Sequence, residues 1–174
     1  SREEALHQAV RRAYDRTLPP DVVAVLDSVA AHPRVEAFRV LARAASVDLV
    51  AALLDDPITD FSQLNGMSPF MLLQTARLNT LAAIADIQRG DTAGAARRLG
   101  EGAAVAEHLF RSPLHAQYAY SLMRWEVLSP LASLAEVQGR TDEARALRAA
   151  RDALVALRPE VPGFGMAGLA AEAP

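Results

Sequence analysis

The chain has 174 residues, with 18 basic and 21 acidic side chains and a net charge of −3 at neutral pH. Its apolar content of 51% suits one compact domain, and no apolar run reaches the roughly 20 residues that span a bilayer. A mildly acidic chain without basic clusters argues against nucleic-acid binding, because phosphate neutralisation supplies most non-specific affinity. The composition therefore predicts neither membrane insertion of this chain nor a nucleic-acid partner.

Residue usage says less about the compartment. Cysteine is absent, which excludes disulfides, thiol nucleophiles and thiolate metal sites together. Every basic side chain is arginine and alanine is abundant, a bias typical of GC-rich bacterial coding. The first residue is Ser1 rather than methionine, so we expect that an upstream segment was removed. Localisation stays open, with a lean towards the cytoplasm and the periplasm or envelope as the alternative.

Strong helix formers dominate and strand-type alternation is absent, so the sequence predicts an all-α fold of about seven helices. The predicted helices cover approximately 2–16, 21–31, 33–54, 68–89, 92–111, 112–138 and 141–158. Their apolar stripes predict the core, and these stripes include Val10, Ala13, Tyr14, Val22, Val25, Leu26, Phe38, Ala95, Leu99, Ala144, Leu147 and Ala150. We expect one domain over residues 1–158, made of N-terminal helices (1–55) and two hairpin units (68–111 and 112–158). A Gly/Pro/Ala-rich tail follows at 159–174, and we expect Phe164, Met166 or Leu169 to dock it in a groove.

Two stretches of the chain repeat the same ordered signals. Residues 81–88 match residues 131–138, and the same three residue types follow each stretch, as Gly90, Thr92 and Ala95 and as Gly139, Thr141 and Ala144. Glycine ends a helix in the left-handed conformation, threonine caps the next helix, and alanine lets two helix backbones approach. The sequence therefore predicts two copies of one helical hairpin, with chain reversals at Gly90 and Gly139.

At these turns the sequence resembles the tetratricopeptide-like superfamily of helical hairpin repeats. The turn, second-helix and closing positions of that family are matched by Gly139, Ala144 and Pro159, and the first two also by Gly90 and Ala95. The resemblance covers residues 68–159 and implies stacked antiparallel hairpins forming a segment of an α–α superhelix, with a protein or peptide partner. The sixth helix departs from the pattern because it contains Pro130, which predicts a kink or break at Leu128–Pro130.

Sequence motifs typical of metal-binding or catalytic sites are weak in this chain. The four histidines (His7, His32, His108 and His115) lack the spacing of a zinc site and suit surface or capping roles. Gly-x-Ser-x-Gly, a phosphate-binding glycine loop and a dinucleotide fingerprint are all absent. The run from Asp55 to Asp60 resembles the aspartate-rich magnesium motif of helical terpene synthases, but Pro57 interrupts it and a second motif is missing. We therefore predict no metal, no cofactor and no catalytic residues.

Polar side chains on the first helix of each hairpin are the candidate partner-binding residues, because first helices line the concave face of stacked hairpins. The set is Thr75, Asn79, Asp86, Gln117, Ser121 and Arg124. A neighbouring stripe of Tyr118, Leu122 and Trp125 is interpreted as hairpin core. The leading hypothesis is a non-catalytic protein-interaction or scaffold module, for which a homodimer is possible. The alternatives are a ligand-sensing or regulatory helical segment of a larger bacterial regulator or envelope protein and, third, a small helical enzyme.

Overall fold

A computed structural model of the protein describes residues 1–43, 69–111 and 116–156, and the regular structure in these residues is helical, as predicted. The helices are α1 (Arg2–Tyr14), α2 (Pro20–Ala30), α3 (Pro33–Arg43), α4 (Pro69–Gln88), α5 (Thr92–Phe110), α6 (Ala116–Leu122), α7 (Ser129–Val137) and α8 (Thr141–Ala156). A π-helical stretch, Met123–Leu128, joins α6 to α7 and is called the π segment below. If these three are taken as one continuous helix, the described residues hold the seven helices that the sequence predicts.

Several sequence predictions lie outside the described residues. They are the end of the third helix, the aspartate run at 55–60, the start of the sixth helix, His115 and the tail with its three apolar side chains.

The two predicted chain reversals are confirmed. Gly90 and Gly139 have φ angles of +86° and +76°, in the left-handed region that favours glycine. Both turns use one hydrogen-bond pattern, in which the glycine N–H donates three residues back and the following N–H five residues back. The first turn has Gly90 N–H to Ile87 O and Asp91 N–H to Asp86 O, both 2.9 Å, and the second has Gly139 to Glu136 (3.0 Å) and Arg140 to Ala135 (2.8 Å). Each turn folds its two helices into a packed antiparallel pair, α4 with α5 and α7 with α8.

The helix starts follow the sequence in part. Ser1 is the N-cap of α1, and its Oγ accepts a hydrogen bond from Glu4 N–H at 3.2 Å. The cap of α5 is Asp91, whose Oδ1 accepts from Gly94 N–H at 2.8 Å. The prediction that Thr92 caps this helix is therefore wrong. Thr92 is the first helical residue, because a carboxylate one position earlier already reaches the free N–H group.

Helix α4 is the centre of the fold. It packs against α1, α2, α3 and α5 as well as α6 and the π segment, so neighbouring helices cover it on several sides. Two clusters of buried residues lie along it. One joins Val10 and Ala13 of α1 to Ile84 and Ile87, and the other joins Phe38 to Leu72 and to α5 and α6.

Helix α1 packs across both α4 and α7, which are the first helices of the two hairpins. This placement brings Arg2 against Glu126, 124 residues further along the chain. In a regular repeat array each repeat contacts only its neighbours. Helix α1 is therefore an additional element that contacts the first helices of both hairpins.

The apolar stripes predict part of the core correctly. Val10, Ala13, Leu26, Ala95, Leu99 and Ala144 are buried. Val22, Val25 and Tyr14 are exposed, Val25 by 63%, and Ala150 is exposed as well, so these four core assignments are wrong. The reason in α2 is that its main contact is with α4 alone, and one neighbouring helix covers only a narrow strip of a helix surface.

The irregularity predicted at Pro130 takes the form of the π segment rather than a break. Pro130 lacks an N–H, and its ring would clash with the carbonyl of Glu126, four residues earlier, in a regular helix. Both the N–H and the hydroxyl of Ser129 instead reach back five residues to the carbonyl of Arg124, the hydroxyl at 2.8 Å. This wider, π-helical turn accommodates the proline while the helix continues.

Candidate interaction surface

The polar stripe of α4 faces inward. Thr75, Asn79 and Asp86 are all buried, Asn79 with only 1% of its surface exposed. The Thr75 hydroxyl donates to the carbonyl of Met71 at 2.8 Å, and Asn79 Nδ2 donates to the carbonyl of Arg98 at 2.9 Å. The expectation that these three residues are presented to a partner in a groove therefore does not fit their positions. The spacing of these residues is misleading, because polar residues that are buried and hydrogen-bonded can have the same helical spacing as polar residues on a surface.

Asp86 holds the first hairpin together. Its Oδ2 lies 2.8 Å from Arg98 Nε of α5, and its Oδ1 lies 3.1 Å from Arg89 Nη1. Arg89 also reaches Asp27 of α2 at 2.6 Å. The Asp86 side chain is only 10% exposed, so it is a structural brace between helices rather than a group available for binding.

The second hairpin has the same brace. Glu136, at the position that matches Asp86, hydrogen bonds to Arg148 of α8, and in both pairs the arginine follows the acid by 12 residues. Here the carboxylate is 37% exposed. The hydrogen bond from Arg148, with the nearby charges of Arg148, His7 and Arg11, lowers the pKa of Glu136 below its ordinary value against a smaller opposing effect of burial. This repeated acid-to-arginine spacing is a signal that the sequence analysis overlooked.

The polar stripe of α6 and the π segment is partly exposed. Gln117, Ser121 and Arg124 all retain access to solvent, and the Arg124 guanidinium carbon lies 4.5 Å from the centroid of the Trp125 ring. Of the neighbouring stripe that was interpreted as core, Leu122 is fully buried, whereas Tyr118 and Trp125 are only partly so. Tyr120 packs edge-on against Phe110 at 4.9 Å. Partly exposed aromatic and arginine side chains thus accompany the polar residues along α6 and the π segment.

Glu126 is the site residue that the sequence analysis missed. It lies in the π segment with 4% of its side chain exposed, and its Oε1 is 2.5 Å from Arg2 Nη2 and 3.6 Å from Arg77 Nε. The Thr80 hydroxyl lies 2.9 Å from Oε2 and donates to it. Arg2 also reaches the neighbouring Trp125, with its guanidinium carbon 5.0 Å from the ring centroid. Neither period nor motif predicts this cluster, because its members come from three helices far apart in sequence.

The three described histidines lie in different parts of the fold, His7 in α1, His32 between α2 and α3, and His108 in α5. His7 Nδ1 of α1 lies 3.9 Å from Glu136, and His32 Nδ1 accepts from the N–H of Arg34 at 3.1 Å, a local capping contact. Across residues 1–43, 69–111 and 116–156, the His, Asp and Glu side chains do not form a group of three that could hold a metal ion.

In these same three ranges, no helix has both the length and the apolar character that crossing a bilayer requires. No protein-family model matches the chain, and no curated protein and no solved structure is significantly similar to it.

Proposed function

We propose that this chain is a non-catalytic protein-interaction module whose binding surface is the partly exposed side of α6 and the π segment. The observation that carries the proposal is the Arg124–Trp125 contact at 4.5 Å, bordered by Gln117 and Ser121. Arginine, tryptophan and tyrosine are the residue types that contribute most to protein–protein binding energy. Their partial exposure on one helix side gives a partner both apolar area and hydrogen-bonding groups.

The proposal narrows the partner-binding set that the sequence predicts. Gln117, Ser121 and Arg124 remain in it, whereas Thr75, Asn79 and Asp86 are assigned to internal hydrogen bonds and to the brace of the first hairpin.

A tetratricopeptide-like origin of residues 68–159 is part of the proposal. It is supported by the shared hydrogen-bond pattern at Gly90 and Gly139 and by the equally spaced acid–arginine braces.

The test is partner capture with surface variants of the whole chain. The bait is the native chain, and the test variant carries Gln117→Ala, Ser121→Ala and Arg124→Ala. The matched control carries Arg97→Ala and Glu107→Ala, which replace two exposed polar side chains of α5. We expect about tenfold less partner with the test variant and unchanged capture with the control, since removing one or two binding hot spots costs about this much affinity or more.

Circular dichroism and thermal melting check that both variants fold, because substitutions at partly exposed positions usually alter stability by only about 0.5 kcal/mol. Equal capture by the native chain and the folded test variant contradicts the proposed surface.

A further inference from the structure

Arg2 is bound by two side chains of the π segment. Its Nη2 lies 2.5 Å from Glu126 Oε1, and its guanidinium carbon lies 5.0 Å from the centroid of the Trp125 ring. A carboxylate beside an aromatic ring offers a guanidinium group both of its favoured interactions, a charge-assisted hydrogen bond and a cation–π contact. We propose that Trp125 and Glu126 form an arginine-binding slot, which Arg2 fills within the chain and which accepts an arginine side chain from a partner protein.

The slot is held in place by residues other than Arg2. Glu126 accepts a hydrogen bond from the Thr80 hydroxyl, 2.9 Å from Oε2, and also forms an ion pair with Arg77, whose Nε is 3.6 Å from Oε1. The Glu126 side chain is almost completely buried. A carboxylate that keeps a second arginine and a hydroxyl does not become an unpaired buried charge when Arg2 leaves. This arrangement makes Arg2 replaceable.

The occupant is much less enclosed than the slot. The Arg2 side chain is 48% exposed, while that of Glu126 is 4% exposed. Helix α1 is anchored independently, because Val10 and Ala13 are fully buried and Glu3 hydrogen bonds to Arg151 of α8. Arg2 can therefore swing out of the slot while α1 stays packed on α4 and α7.

The chemistry of the slot selects arginine over lysine. A planar guanidinium stacks on an indole and still directs N–H groups sideways to a carboxylate, whereas an ammonium is a compact and strongly hydrated point charge. The slot also adjoins Arg124, which contacts the same ring, so an arginine bound there lies at the edge of the surface proposed above. This inference rests on that proposed function for its choice of a protein partner, but guanidinium binding is measurable without any partner.

The chain offers a direct probe of the slot, because Trp125 is its only tryptophan. The experiment titrates N-acetyl-arginine amide into the Arg2→Ala variant of the full chain and follows tryptophan fluorescence. N-acetyl-lysine amide is the matched ligand control. Arg12→Ala, which removes an exposed arginine from the same helix, is the matched protein control.

We expect saturable binding of the arginine ligand to Arg2→Ala. Binding to the native chain and to Arg12→Ala should be about tenfold weaker, since an occupied slot reduces apparent affinity by the fraction of chains in which it is free. The lysine ligand should bind at least about tenfold more weakly than the arginine ligand. The proposal is overturned by a linear, unsaturable response of Arg2→Ala, by equal binding of the two ligands, or by equal binding to native and Arg2→Ala chains.

Two further variants test the walls of the slot in the Arg2→Ala background. Glu126→Gln removes the charge, and Trp125→Ala removes the ring, so the latter is followed by calorimetry. We expect loss of binding in both. If Glu126→Gln fails to fold, the calorimetric titration of Trp125→Ala decides, and undiminished affinity there overturns the proposal.

The identity of the occupant is tested by sedimentation of the native chain. A dimer that disappears in Arg2→Ala but persists in Arg12→Ala would mean that a second copy of this chain supplies the arginine. That result would overturn the inference that the arginine comes from a different protein. A native monomer supports that assignment. If the arginine titration fails but the capture experiment succeeds, the proposed binding surface on α6 and the π segment is retained and only the arginine slot is rejected. The two proposals can therefore fail separately.

Discussion

The two hairpins have turns of the same geometry but lie in different surroundings. Gly90 and Gly139 have nearly the same backbone geometry and the same hydrogen bonds, and an acid–arginine brace joins the helices in both. The first hairpin, α4–α5, lies in the centre, and its brace is almost buried. In the second, the brace is about a third exposed and much of α8 faces solvent. The comparison teaches that a repeated local sequence fixes the hairpin, while neighbouring helices decide how much each residue contributes to stability.

Leucine-to-alanine substitutions are expected to show the largest difference in stability between the two hairpins. Leu99 of α5 is fully buried, so Leu99→Ala should lower the free energy of unfolding by about 3 kcal/mol through lost burial and the cavity left behind. Leu147 of α8 is only partly buried, and Leu147→Ala should cost about 1 kcal/mol. Urea unfolding followed by circular dichroism measures both. Equal losses would show that the second hairpin is packed as tightly as the first.

Removing the acid of each brace should give the next largest contrast. Asp86→Asn leaves Arg98 without its charged partner in a nearly buried place, so we expect a loss of about 2 kcal/mol. Glu136→Gln, in a partly exposed pair, should cost about 0.5 kcal/mol because solvent screens it. Chemical denaturation of the two single variants tests this order, and a larger loss for Glu136→Gln would reverse our ranking.

Alanine at the two turning glycines sharpens the comparison further. Both substitutions place a side chain in the left-handed region, which costs about 1–2 kcal/mol. A Cβ at position 90 also comes within 2.4 Å of Arg16 Nη2, whereas position 139 is open. Gly139→Ala is thus the matched control. The melting temperature of Gly90→Ala should equal that of Gly139→Ala or lie slightly below it, since the end of an arginine side chain moves aside easily. A Gly90→Ala variant more stable than the native chain would contradict the conformational argument.

The smallest expected effect is the acid sensitivity of the second brace. The pKa of Glu136 is lowered in the folded chain, chiefly by the hydrogen bond from Arg148. Its stabilising contribution is therefore present above the ordinary glutamate pKa and is lost as the pH falls through the lowered folded value. Melting temperatures of native and Glu136→Gln chains should differ slightly at neutral pH and converge in acid. At neutral pH the difference should also shrink in high salt, and a difference that grows on acidification would be the wrong sign.

The sequence was most informative where structure is local. Glycine at 90 and 139 predicts the left-handed helix ends, and the spacing of apolar residues finds Val10, Ala13, Leu26 and Leu99 in the core. These features depend on a few consecutive residues and on helix periodicity. Helical periodicity also marked Val25 as core, where it failed because it reports which residues share a face and not whether a neighbour covers it.

Helix periodicity also could not distinguish the two halves of the candidate partner-binding set, for the same reason. Gln117, Ser121 and Arg124 are on a partly exposed surface, whereas Thr75, Asn79 and Asp86, which look alike in sequence, are enclosed by surrounding helices. Glu126 was overlooked because its partners Arg2, Arg77 and Thr80 come together only when α1 and α4 pack against the π segment.

The amino-acid sequence by itself determines that this chain is helical, where two of its hairpins turn, and which residues line each helix face, because these depend on interactions within a few residues. Only the tertiary structure decides that α4 lies in the centre, that α1 crosses the hairpins and inserts Arg2 beside Trp125, and which polar residues reach solvent. Those outcomes depend on which helix surfaces meet, and the energy of that packing is not carried by any single segment.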